Sequence, residues 1–160
     1  YERGTKDSDV LHTTALNQDV ASDLIALAGQ DTLLHKRHAM YIEVVPQGLP
    51  FLAQRPNWHV RAELNAVLNH FEVHVLDVVD VVVSKLARFH GNDKADVLAM
   101  VQRDLVSPSA LRARFEAAMD VWKYTGYDYK LSACIRHLNQ VERDYLGVEE
   151  SEFELPSWVE

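Results

Sequence analysis

Cysteine is nearly missing from this chain of 160 residues: Cys134 stands alone. No intrachain disulfide can form, and a reducing cytoplasm is the expected compartment. Leu131, Ile135 and Leu138 recur around Cys134 at helical spacing, which makes it a small packed hydrophobe. Six glycines and five prolines are too few for collagen-like or low-complexity sequence. Positive charge is also scarce, since 16 Lys and Arg against 24 Asp and Glu leave a net charge of −8. Such a chain repels phosphate backbones and acidic membranes at long range, so any nucleic-acid contact has to be local. No apolar run approaches the roughly 18 residues of a membrane span, and Tyr1-Glu2-Arg3-Gly4 does not open a signal peptide. What is there, 48% apolar and 25% charged residues, is the composition of one globular domain with a real core.

The pattern along the chain is mixed. Residues 9–13 read as a short strand, and 15–28 repeat apolar residues at Leu16, Val20, Leu24, Ile25 and Leu27 as a helix closing on Gly29. Residues 39–45, AMYIEVV, form a strand that stops at Pro46, and 49–57, with two prolines, are irregular. Alternation through Phe71-Glu72-Val73-His74-Val75-Leu76 predicts a strand over 71–76, with 60–66 as its hairpin partner. From Val78 a helix places Val79, Val82, Val83 and Leu86 on one face and ends at Gly91. Three more helices follow, near 93–103, 108–122 and 128–146; Ser107 caps the second and Pro108 takes its first position. Residues 147–160 carry five Glu and no cation, an acidic tail pinned by Phe153 and Trp158.

Asp7-Ser8-Asp9 is the first constellation with chemistry in it. Residues two apart on a strand share a face, at a rise of roughly 6.6 Å, so both carboxylates reach one spot. Two hard oxygen donors of this kind suit Mg²⁺. Glu43 adds a third acid inside an apolar strand, where an unpaired buried carboxylate costs several kcal/mol and calls for a partner or a metal; an exposed sheet face is the alternative. His70 and His74 would chelate a metal from one helix, but on a strand they stand roughly 13 Å apart. No Arg precedes a His with four to six residues between, the spacing of a helical ribonuclease motif. The Trp, Phe and Tyr residues read as core, because no basic groove accompanies them.

The stretch ERGTKDSDVL resembles the signature of the nucleotidyltransferase fold shared with DNA polymerase beta and the minimal nucleotidyltransferases, in which an Arg-Gly-Thr turn precedes an acid-x-acid strand and a third acid follows on a neighbouring strand. Asp7, Asp9 and Glu43 match those three positions. DVVDVVVSKLARFHGNDKADVLAMV is similar to the bacterial branch related to abortive-infection and toxin proteins, with Lys85 and Arg88 followed by Asp93 and Asp96; Arg55-Pro56-Asn57-Trp58-His59-Val60-Arg61 is similar to that branch too. The resemblance covers roughly residues 1–120. It implies an α/β (α+β) fold: a small mixed sheet followed by a helical C-terminal half, with 1–90 as the core, 91–146 as the helical part of the same domain and 147–160 as the tail.

The implied activity is metal-dependent transfer of a nucleoside monophosphate from a nucleoside triphosphate to a nucleic acid such as tRNA, a protein or a small acceptor. Asp7, Asp9 and Glu43 would hold Mg²⁺ or Mn²⁺, and Lys85, with Arg88, Asp93 and Asp96 around it, would meet the triphosphate. No membrane partner is implied, and a homodimer is open. A non-catalytic nucleotide- or partner-binding module, such as half of a toxin and antitoxin pair, is the competing expectation. The Gly-Gly or Gly-Ser turn that the family places about ten residues before the first acid falls outside this chain, which makes the piece an expected fragment whose own activity is open.

Overall fold

A computed structural model describes residues 7–11, 16–45, 49–69, 72–125 and 131–154. It is an α+β molecule that divides into two compact units, residues 1–49 and 50–160. Among the described residues no helix is long and apolar enough to cross a membrane.

In the first unit β1 (Asp7–Leu11) pairs in parallel with β2 (Tyr41–Val45). Parallel neighbours need a crossover. It is supplied by α1 (Gln18–Ala28) and α2 (Leu33–His38). Helix α1 starts where the Asn17 side chain accepts from the Val20 N–H at 2.9 Å, and it stops at Gly29 in extended backbone, φ −72°. Helix α2 was not legible as an apolar period. It forms because the Thr32 hydroxyl accepts from the His35 N–H and Ala39 closes it in the left-handed region, φ 54°. Of the strand expected over 9–13, residues 9–11 lie in β1, which begins at Asp7, and residues 12 and 13 lie outside the described residues.

The second unit opens with residues 50–57 of the irregular segment expected from its prolines, then a two-stranded antiparallel pair, β3 (Trp58–Val60) and β4 (His74–Leu76). The hairpin expected between 60–66 and 71–76 is present in shorter form. Pairing ends at Val60 opposite His74, and 62–65 turn into α3 (Ala62–Asn65) instead of strand. The cause is Asn65, whose side chain both accepts from the Val73 N–H at 2.7 Å and donates to the Val73 carbonyl at 3.2 Å, doing for Val73 what a partner strand would. His70 and Phe71 lie outside the described residues. His74, on β4, stands 3.3 Å from Glu72.

Helix α4 (Val78–Leu86) carries the core: Val79, Val82, Val83 and Leu86 are all buried, as their spacing predicts. Around it pack α5 (Gly91–Gln102), α6 (Pro108–Thr125) and α7 (Leu131–Val141), the last continued by one π turn (Glu142–Leu146). Phe89 joins α4 to α5 at φ 48°, an unfavourable angle for an aromatic residue, held by burial of its ring against His137 and Tyr145. Ser107 caps α6 through the Ala110 N–H, with Pro108 in the first turn. Cys134 is buried, and burial pushes its thiol up to about 11, so it packs as an inert hydrophobe. The stretch after residue 147 is tied down: Phe153 lies 5.3 Å from Phe115, the N–H and hydroxyl of Ser151 donate to buried Glu142, and Arg143 pairs with Glu150. Trp158 lies outside the described residues.

Candidate functional site

The first unit brings two of the three expected acids side by side. Asp9 and Glu43 are register partners on β1 and β2, so their side chains leave the same face of the sheet from backbones about 4.8 Å apart. Asp7 begins β1 and is partnered with Tyr41, one side-chain repeat before Asp9. Both Asp9 and Glu43 are exposed. Of the two readings of Glu43, the exposed sheet face is the one found: the apolar neighbours Tyr41, Ile42, Val44 and Val45 are half-buried while Glu43 itself meets solvent, so no desolvation cost forces a partner on it.

Two carboxylates leaving one face from paired backbone positions repel one another even at the dielectric of water, and both offer only lone pairs. Hard oxygen donors of this kind fit Mg²⁺ or Mn²⁺, which are held by one or two carboxylates plus waters and phosphate oxygens. Asp9 and Glu43 are therefore a suitable donor set for such an ion.

The four remaining expected residues belong to the second unit and meet one another. Lys85, near the end of α4, donates from Nζ to Asp93 Oδ1 at 3.2 Å and to Asp96 Oδ2 at 3.0 Å. Arg88 Nη2 stands 3.6 Å from the same Asp93 oxygen. Asp93 is buried, and its other oxygen accepts the His90 N–H in a capping box at the start of α5. Lys85 is thus a cross-brace between α4 and α5 as well as a cation. Only 21% of its side chain is exposed, so the ion pair is partly withdrawn from solvent.

Two features of this unit escaped the sequence. Asp80 is fully buried, and Arg114 grips it from Nε at 2.6 Å and Nη2 at 2.9 Å. The Asn57 N–H also donates to Asp80 at 2.7 Å, and Arg114 donates to the Arg55 carbonyl at 3.0 Å. One buried ion pair therefore fastens residues 55–57 onto α4 and α6. The signal was present: an acid inside VVDVVV, one turn before Val83 and Ser84, lies on the apolar face of its helix.

The second is His59, whose Nε2 lies 2.7 Å from Asp77 Oδ2 while Asp77 Oδ1 caps α4 through the Val79 N–H at 2.9 Å. Burial raises the Asp77 carboxyl, but His59 and the N–H groups of Val79 and Asp80 outweigh it and hold the group below its ordinary value of 3.8. A depressed carboxylate contributes stability that is complete above the unfolded-state value and is lost as pH falls through the folded one. Wild type should therefore lose more stability than Asp77→Asn as pH drops below about 4, as read from urea midpoints. At neutral pH Asp77→Ala should cost about 1 kcal/mol, the usual worth of such a cap.

The model of a protein family described as nucleotidyltransferase of unknown function (DUF6036) matches residues 1–146. No curated protein and no solved structure matches the chain.

Proposed function

The chain belongs to this nucleotidyltransferase family, and from that premise we propose that it transfers a nucleoside monophosphate from a nucleoside triphosphate to an acceptor hydroxyl, using a divalent metal ion. The observation that supports this most is the side-by-side register of Asp9 and Glu43 on adjacent parallel strands. Asp7, Asp9 and Glu43 would hold Mg²⁺ or Mn²⁺. Such an ion, when bound, neutralises phosphate oxygens and lowers the cost of charge developing at the α-phosphorus. The protein's own share is placement: carboxylates fixed on two paired strands keep their donor atoms in one arrangement, and transfer depends mainly on positioning and charge neutralisation. The acceptor oxygen forms its bond to the α-phosphorus as the bond to pyrophosphate breaks. In the second unit, Lys85 offers a compact cation for triphosphate oxygens, held ready by Asp93 and Asp96. Residues 55–61 and 77–101 carry the likeness to the abortive-infection and toxin branch, and we place the chain there as part of the same proposal.

The test is direct. With α-labelled nucleoside triphosphates, Mg²⁺ or Mn²⁺, and candidate acceptors, label should move to an acceptor with release of pyrophosphate. Nucleotide binding without any turnover would leave a non-catalytic module instead. Lys85→Ala should raise the dissociation constant for triphosphate by about tenfold, equivalent to 1.4 kcal/mol, in calorimetric titration. The same change strips Asp93 of its nearest cation while Arg88 stays 3.6 Å away, so a stability loss of about 1–3 kcal/mol should accompany it. Unchanged affinity would remove Lys85 from nucleotide binding.

A further inference from the structure

Lys36 and Arg37 are the one adjacent pair of Lys or Arg in the sequence, and His35 and His38 flank them. They form the last turn of α2, where the helix C-terminus favours cations. Lys36, Arg37 and His38 are all exposed. Five other cations of the described residues are held by carboxylates: Lys85 and Arg88 by Asp93, Arg112 by Glu116, Arg114 by Asp80, Arg143 by Asp144 and Glu150. No described carboxylate pairs with Lys36 or Arg37. The nearest acid in sequence, Asp31, lies before the N-terminal end of α2.

This turn is fixed in the same unit as the candidate metal-holding acids. His35 Nδ1 accepts the Asp31 N–H at 2.9 Å, and its ring meets Tyr41 edge-on at 5.0 Å, so α2 is tied to the first residue of β2. From His38 to Glu43 the chain runs five residues, at most about 17 Å. A polynucleotide strand reaching from Lys36 and Arg37 to the Asp9–Glu43 pair would span only a few nucleotides. In a chain of net charge −8, a local cationic turn of this kind is what a phosphate backbone needs to approach.

We propose that the basic turn Lys36-Arg37-His38 binds the phosphate backbone of a single-stranded polynucleotide, which makes a nucleic acid the acceptor class. This rests on the transfer activity proposed above for its place in the reaction, but not for the binding itself.

The experiment is fluorescence anisotropy with a labelled single-stranded RNA of about 20 nucleotides, in EDTA and without nucleotide, over a salt series. The full chain should bind, and Lys36→Ala/Arg37→Ala should weaken binding roughly tenfold and flatten the slope of log affinity against log salt by about 1.4. Lys94→Ala, whose ammonium stands over the Phe89 ring, should change neither. Alanine keeps α2 helical, and an unchanged circular dichroism spectrum checks this. Equal affinity and slope in the double variant, no RNA binding by wild type, or binding to vesicles containing phosphatidylserine but not to RNA would each overturn the proposal. RNA binding through the turn in a protein without transfer activity would sink the functional reading and leave this one standing. Transfer with RNA binding indifferent to Lys36 and Arg37 would do the reverse.

Discussion

Asp9→Asn and Glu43→Gln should each lower nucleotidyl transfer by on the order of 10³-fold while leaving the fold intact. The size follows from what a divalent ion contributes to phosphoryl chemistry, several kcal/mol of transition-state charge stabilisation, with 1.36 kcal/mol per tenfold in rate. Both side chains are exposed and bear no structural hydrogen bond on which the fold depends, so melting temperatures should stay within a degree or two of wild type. A further readout separates holding a metal from taking a proton. If the carboxylates hold the ion, raising Mn²⁺ should recover part of the lost rate in each variant, because weaker binding is offset by mass action. A lost proton acceptor would not respond to metal but would change the pH profile. Asp7→Asn should behave like the other two. Full activity in Asp9→Asn or Glu43→Gln would leave the family's reaction without its proposed site.

The strand pair behind that prediction was readable because strands impose a period of two and an acid stands out within it. Glu43 in Tyr-Ile-Glu-Val-Val could be identified as the odd residue without knowing its partner, and the structure supplies Asp9. Its exposure was not readable, since alternation says that Glu43 faces away from its neighbours and not whether another layer covers that face. The α4 face was legible for the same kind of reason: Val79, Val82, Val83 and Leu86 repeat at helical spacing. Helix α2 was hidden because six residues cannot display a period; it depends on the caps Thr32 and Ala39. The shortened hairpin was hidden too, because what ends it is one side chain, Asn65, reaching eight residues along the chain to Val73.

Arg114→Ala should be the most damaging single change in the second unit, costing about 3–5 kcal/mol, because it leaves the buried Asp80 carboxylate with only the Asn57 N–H. Total stability for a domain is about 5–15 kcal/mol, so the loss is a large share of it and should lower the melting temperature by about 10 °C or more. Attraction between the two charges is not the reason for so large an effect. A buried pair roughly breaks even against the cost of desolvating it, and the damage comes from leaving one charge behind. The double variant Asp80→Leu/Arg114→Met should therefore recover much of what Arg114→Ala loses, since neither charge is then buried alone. Recovery should be incomplete, because the Arg55 carbonyl loses its partner in both proteins and the Asn57 N–H loses its partner in the double variant. That residue identifies the second job of the pair, holding residues 55–57 against α4 and α6 at the point where the chain enters β3. Protease cleavage near Arg55 should accordingly rise in the double variant even where its melting temperature approaches wild type, and a double variant as resistant as wild type would show that other contacts hold this segment.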